Sequence, residues 1–138
     1  MMQDDCLFCQ IVAKKEKVAI IYEDESVLAF LDIAQVTPGH ALIIPKSHVK
    51  NLLTMNGKTA SQLFQVIPDI ARNLKEKTGA QGINLIMNNE AIANQVIFHA
   101  HVHLIPRYRG DGVEIASKKH PTPLSELMNF AETIKNFS

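Results

Sequence analysis

Residues 98–106 read Phe98-His99-Ala100-His101-Val102-His103-Leu104-Ile105-Pro106, and this strict alternation constrains the chain more than any other stretch. Side chains on a strand point to opposite faces in turn, so His99, His101 and His103 share one face while Ala100, Val102 and Leu104 take the other. The pattern predicts a long strand over residues 96–106, with neighbouring imidazoles about 6.6 Å apart. Three of the six histidines thereby fall in one row on a strand whose second face is purely apolar. Packing alone does not call for such a row, because every buried imidazole needs a hydrogen-bond partner.

The remaining elements follow from their own periodicities. Residues 18–22 and 27–31 read as short strands joined by the turn Glu23-Asp24-Glu25-Ser26, and Thr37-Pro38-Gly39 turns the chain into a strand at 41–45. Over residues 57–77 Leu63, Phe64, Ile67, Ile70, Ala71 and Leu74 recur at helical spacing, which predicts one long amphipathic helix stopped at Gly79. Pro68 is expected to kink or split it. A short helix is predicted at 6–13, a strand at 83–87, and a C-terminal helix at 123–137 with Leu124, Leu127, Met128, Ala131 and Ile134 on its apolar side. Strands, a long helix, then strands again point to the α+β class, with a five-stranded, largely antiparallel sheet.

At 138 residues the chain has the length of a single domain, 1–138. A domain of that size buries roughly two-thirds of its unfolded surface and needs no disulfide. Fourteen basic residues balance fourteen acidic ones, which argues against a broad nucleic-acid surface and leaves room for one phosphate pocket. The acidic start Met1-Met2-Gln3-Asp4-Asp5 and the shortness of the apolar runs give the expectation of a soluble, cytoplasmic protein with no membrane partner.

Three uses of the histidine row stay open at this level. It forms a solvated polar face, or it holds a metal, since His-x-His on a strand suits zinc. Alternatively it supplies a nucleophile: imidazole, with a pKa of about 6.5, is largely neutral near pH 7 and can attack phosphorus. Cys6-Leu7-Phe8-Cys9 adds a pair at zinc-ligand spacing, although two unrelated thiols would give the same string. His40 reads as a satisfied structural histidine of its turn, and His120 as a solvated one.

The string His99-Ala100-His101-Val102-His103-Leu104-Ile105 resembles the signature of the histidine triad (HIT) family. Leu28-Ala29-Phe30-Leu31-Asp32-Ile33 and the segment from Thr37 to His48 are similar to the same family, as are Asn89, Gln95 and Phe98 at matching offsets. The resemblance spans about residues 6–110 and is nearest to its Hint-like bacterial branch. It implies a HIT-like fold, a homodimer with the sheet continued across the two-fold axis, and a hydrolase or transferase acting at the α-phosphorus of a purine nucleotide derivative. Phosphoramidates and dinucleoside polyphosphates are the substrates it suggests.

By position, the resemblance implies His101 as the nucleophile, its tautomer fixed by the carbonyl of His99. His103, Gln95, Asn89 and the Val96 N–H would donate to the phosphate, and Asp32 would bind ribose. Phe8, Ile11, Phe30 and Ile44 would line an apolar purine slot, with plain core as the alternative. Cys6, Cys9, His48 and His99 would hold a structural zinc ion. Val96 stands where Hint-like members carry Ser or Thr, and Asn94 where glycine is common. Two rivals remain: a zinc hydrolase using all three triad histidines, and a nucleotide- or partner-binding regulatory module with little turnover.

Overall fold

The structure, a computed structural model, describes residues 3–135. Its elements run α1 (Leu7–Val12), β1 (Ile20–Glu23), β2 (Val27–Leu31), β3 (Ala41–Pro45), α2 (Gly57–Thr78), β4 (Gly82–Ile86), β5 (Val102–Arg107) and α3 (Leu124–Ile134). The strands form one five-stranded sheet in the order β1-β2-β3-β5-β4, every neighbour antiparallel. Among the described residues no helix is long and apolar enough to cross a membrane.

Two apolar layers explain why β2 and β3 lack alternation. On one face Val27, Ala29, Ala41, Ile43, Val102 and Leu104 pack against Leu63, Ile67, Ile70 and Leu74 of α2. On the other, Leu28, Phe30, Leu42 and Ile44 pack against Phe8 and Ile11 of α1. Both strands are covered on both sides and need apolar residues throughout. In β5 Val102 and Leu104 face α2, and no residue of the strand joins the layer against α1. Its other side carries His103, which lies opposite Leu42 in the β3–β5 register. The histidine row therefore stands where the second apolar layer ends.

Several expectations are corrected. β5 begins at Val102, so residues 96–101 lie outside the ladder. The Ala100 N–H donates instead to Val49 O at 2.7 Å, and residues 95–98 turn under the side chain of Gln95. Alternation survives the loss of pairing, since the rings of both His99 and His101 meet Phe8. Pro68 does not split α2, which continues through it. The proline sits on the exposed side, so the carbonyl it deprives of a partner faces water. Phe64 is 54% exposed, outside the stripe set by residues 63, 67, 70 and 74. The apolar side of α3 is not buried at all, and residues 136 and 137 of that expected helix lie outside the described residues.

Local chemistry sets the turns. Asp24 Oδ1 accepts from the N–H groups of Ser26 and Val27 at 2.7 and 2.8 Å, which closes the β1–β2 connection. Gly39, at φ 94°, delivers the chain to β3; a Cβ there would lie 2.9 Å from Thr78 Cγ2 and 3.2 Å from Pro106 Cγ. Thr37 Oγ1 donates to Pro106 O at 2.5 Å and pins the same turn. We expect Gly39→Ala to lower the free energy of unfolding by about 1–3 kcal/mol, through a disfavoured φ and that close approach. An unshifted urea midpoint would contradict this.

Candidate active site and metal centre

His101 is 8% exposed and held by one backbone group: its Nδ1 lies 2.7 Å from His99 O. A carbonyl only accepts, so Nδ1 carries the proton and Nε2 keeps a lone pair. No group among the described residues occupies that Nε2. Burial pushes the pKa of His101 down, with the bond to the carbonyl acting the other way. The ring is therefore neutral near pH 7, and it stands edge-on to Phe8 and His103, each at a centroid distance of 5.1 Å.

A second backbone group orients His103 through an intermediary. The Val36 N–H donates to His40 Nδ1 at 3.2 Å, which places the proton of His40 on Nε2. That Nε2–H lies 2.9 Å from His103 Nδ1, so His103 carries its own proton on Nε2. A donor is thus left beside His101, without an acceptor among the described residues. Asp32 sits at the same junction. Its Oδ2 is 3.6 Å from His40 Nε2, and its Oδ1 accepts from the Ala34 N–H at 2.8 Å. Burial lowers the pKa of His40, and burial together with the neighbouring His101 and His40 lowers that of His103 to about 4.

The loop before the row is tied to residues 49–52. Gln95, 3% exposed, donates from Nε2 to Lys50 O at 2.7 Å and to Ile97 O at 3.1 Å. Its Oε1 accepts from Asn51 Nδ2 at 3.0 Å and from the Glu90 N–H at 2.9 Å. The carboxamide is saturated inside the loop, which corrects its expected part as a phosphate donor. Asn89 Oδ1 accepts from the Leu52 N–H at 2.8 Å, while its Nδ2 and the Val96 N–H have no acceptor among the described residues. Asn94 adopts the left-handed conformation, φ 70°, that glycine would take. Glu90, at φ 79° and ψ 154°, occupies a region nearly reserved for glycine; residues so placed cost on the order of 1–3 kcal/mol.

The residues expected to line an apolar purine slot take their alternative place, in the core. Phe8, Ile11, Phe30 and Ile44 are 2%, 4%, 3% and 0% exposed and pack on one another as core. Ile44 offers no surface to a ligand. Ile33, beside Asp32, is 102% exposed and offers a great deal. Sequence reasoning missed Ile33, the part His40 plays, and Asn51. Only the β3–β5 register, which sets Leu42 opposite His103, reveals how near His40 comes to the row.

Cys6, Cys9, His48 and His99 converge as a separate cluster, with their donor atoms all within 4.8 Å of one another. Cys6 caps α1 and accepts from the Cys9 N–H at 3.4 Å, so one helical turn brings both sulfurs together. His99 Nε2–H donates to Pro45 O at 2.8 Å, which turns its Nδ1 lone pair toward the sulfurs. Three of the four S···N separations, Cys6–His99, Cys9–His48 and Cys9–His99, are 3.4 Å, 3.4 Å and 3.6 Å. A tetrahedral ion at ordinary Zn–S and Zn–N distances would set that edge at about 3.5 Å, so the residues fit the ion. Only His99 of the triad joins this cluster; the three imidazoles do not meet around one point.

Fold and site together define a small α+β protein in which the start of an interior strand displays two neutral, oppositely prepared imidazoles next to a Cys₂His₂ cluster. A sequence model of the HIT domain matches residues 13–110. The chain belongs to the HIT family. Among solved structures, SMU.412c from Streptococcus mutans is 50% identical, with a TM-score of 0.93 over 96% of this chain and 85% of that one. A Zn-bound histidine triad family protein from Mycobacterium smegmatis is 37% identical, with a TM-score of 0.76 over 84% of each chain. The adenylylsulfatase HINT3 of Arabidopsis thaliana is 38% identical over 80% of this chain and 56% of the plant protein.

The low pKa of His103 has a consequence for stability. Unfolded, the ring titrates near 6.5 and binds a proton that the folded ring, at about 4, refuses. Where the unfolded state binds more protons, stability rises with pH. The thermal midpoint should therefore fall as pH drops from about 6.5 to about 4. In His103→Asn the decline should be shallower. An equal slope in the two proteins would contradict the assignment.

Proposed function

We propose that the chain is a nucleotidyl hydrolase or transferase that attacks the α-phosphorus of a purine nucleotide derivative through His101. The carrying observation is the bond from His101 Nδ1–H to His99 O, which leaves an unprotonated, unpartnered Nε2 on a neutral ring. In the first step the Nε2 lone pair forms a bond to phosphorus, and the leaving group departs with the electron pair of its own bond. Water then attacks phosphorus, and the N–P pair returns to Nε2. A nucleoside monophosphate is released, and the proton from water passes to solvent.

Charge that grows on the phosphoryl oxygens meets His103 Nε2–H, the Val96 N–H and Asn89 Nδ2, all held without local acceptors. Asp32, whose carboxylate accepts hydrogen bonds, suits the ribose diol, and the exposed Ile33 suits the base. The name of the plant relative, an adenylylsulfatase, fits cleavage at an adenylyl phosphorus. Val96 has no hydroxyl, so any contact it makes with substrate oxygen comes from its backbone. We assign zinc to Cys6, Cys9, His48 and His99 as a structural ion, since a four-ligand site leaves no open position for substrate. The exposed edge of β4 is where a second copy would continue the sheet.

The test is adenosine 5′-phosphoramidate with wild type and His101→Ala. We expect a quenched wild-type reaction to yield adenylylated His101 by mass spectrometry. His101→Ala should turn over at least about a thousandfold more slowly while still binding AMP. Binding without turnover in the wild type would favour the regulatory module, and an unchanged rate in the variant would overturn the proposal. For the metal, we expect protein purified without added zinc to carry one equivalent per chain, lost in Cys9→Ala. A metal-free, folded wild type would refute that assignment.

A further inference from the structure

The conformation of Glu90 is open to glycine and all but closed to residues with a Cβ, so a glutamate remains there only if its surroundings hold it. Here they hold it at both ends. The carboxylate accepts from Asn51 Nδ2 at 2.7 Å and pairs with Lys50 Nζ at 3.0 Å. The backbone N–H donates to Gln95 Oε1 at 2.9 Å, and the carbonyl accepts from the N–H groups of Ala93 and Gln95 at 3.0 and 3.1 Å. Asn51, 1% exposed, joins the two ends by donating from the same Nδ2 to Gln95 Oε1.

The clamp lies between two groups that face no local acceptor. Asn89 directly precedes Glu90, and Val96 directly follows Gln95, whose side chain receives the Glu90 N–H. The path of the chain from 89 to 96 therefore sets how the Asn89 amide and the Val96 N–H stand relative to each other. A glycine at position 90 would reach the same angles unaided but would be free to leave them. Glutamate cannot relax without breaking its bonds to Lys50 and Asn51.

We infer that Glu90 is a positioning residue: its carboxylate, clamped by Lys50 and Asn51, holds a glycine-like backbone and thereby fixes the anion donors at Asn89 and Val96. Its effect on rate rests on the nucleotidyl-transfer reading; its effect on the loop does not. Because the donors act on charge that develops during reaction, misplacing them costs turnover more than substrate binding.

The experiment compares wild type, Glu90→Ala, Glu90→Gly and Glu90→Gln, by turnover of adenosine 5′-phosphoramidate and by amide hydrogen exchange across residues 89–98. Glu90→Ala keeps the strain without the clamp. It should exchange faster at the amides of residues 90 and 95, whose N–H groups are bonded in the clamp, melt at a lower temperature, and lose at least about tenfold in kcat with a smaller change in KM. Glu90→Gly should regain the melting temperature but keep the fast exchange and low kcat. Glu90→Gln, which retains the bond to Asn51, should restore kcat to within about fivefold, the scale of one exposed ion pair. Wild-type exchange in both Glu90→Ala and Glu90→Gly, or wild-type kcat in Glu90→Gly, overturns the inference. If wild type turns over no faster than His101→Ala, the nucleotidyl-transfer reading falls, and the exchange rates alone decide the clamp.

Discussion

The burial of β3 on both faces is the constraint from which the rest of the structure follows. Ala41 and Ile43 face α2 while Leu42 and Ile44 face α1, and none of the four is more than 5% exposed. Each large side chain so buried contributes about 1.5–3 kcal/mol relative to exposure. That contribution holds a helix on either side of the sheet. α1, though only six residues long, is anchored by Phe8 and Ile11, and its anchoring brings Cys6 and Cys9 to the end of β3, where Pro45 and His48 wait. The same layer stops at β5, and the space beyond it belongs to His101 and His103.

Proton positions in the site are set by backbone groups. His99 O prepares His101 as an acceptor at Nε2, and the Val36 N–H, acting through His40, prepares His103 as a donor at Nε2. A carbonyl and an amide cannot change roles, so the two rings hold complementary tautomers as long as the turn at 36–40 and the segment at 99–101 keep their places. Burial adds to this by keeping all of these imidazoles neutral. His99 ties the two halves of the site together: its carbonyl serves the neighbouring ring, while its own ring belongs to the Cys₂His₂ cluster. Fixing that cluster would stiffen the carbonyl on which His101 depends.

The loop from 89 to 98 follows a different logic. It has no ladder to hold it, and it carries strain at Glu90. Asn51 and Gln95 compensate by saturating each other and the surrounding backbone, with both polar atoms of the Gln95 side chain occupied. Ile92 and Val96 project outward at 96% and 82% exposure, so this loop presents an apolar rim around its free amide donors.

Much of the fold was legible in the sequence because its signals are local. The alternation at 99–104 placed the histidines on one face, the stripe 63, 67, 70 and 74 marked the buried side of α2, and Cys6-x-x-Cys9 lay on one helical turn. Local periodicity does not distinguish apolar core from apolar ligand slot, since both require the same side chains; Phe8, Ile11, Phe30 and Ile44 suited either reading, and packing makes them core. Nor does it register contacts made across many residues of chain. His40 on His103, Asn51 on Gln95, and Glu90 on Lys50 join segments 40–63 residues apart. The sequence by itself determined which faces are apolar and which residue types line the row, because those follow from strand and helix repeats. Tertiary structure alone decided which nitrogen of each ring carries a proton, which amides are already occupied, and which apolar side chains reach solvent, because these depend on neighbours that only folding brings together.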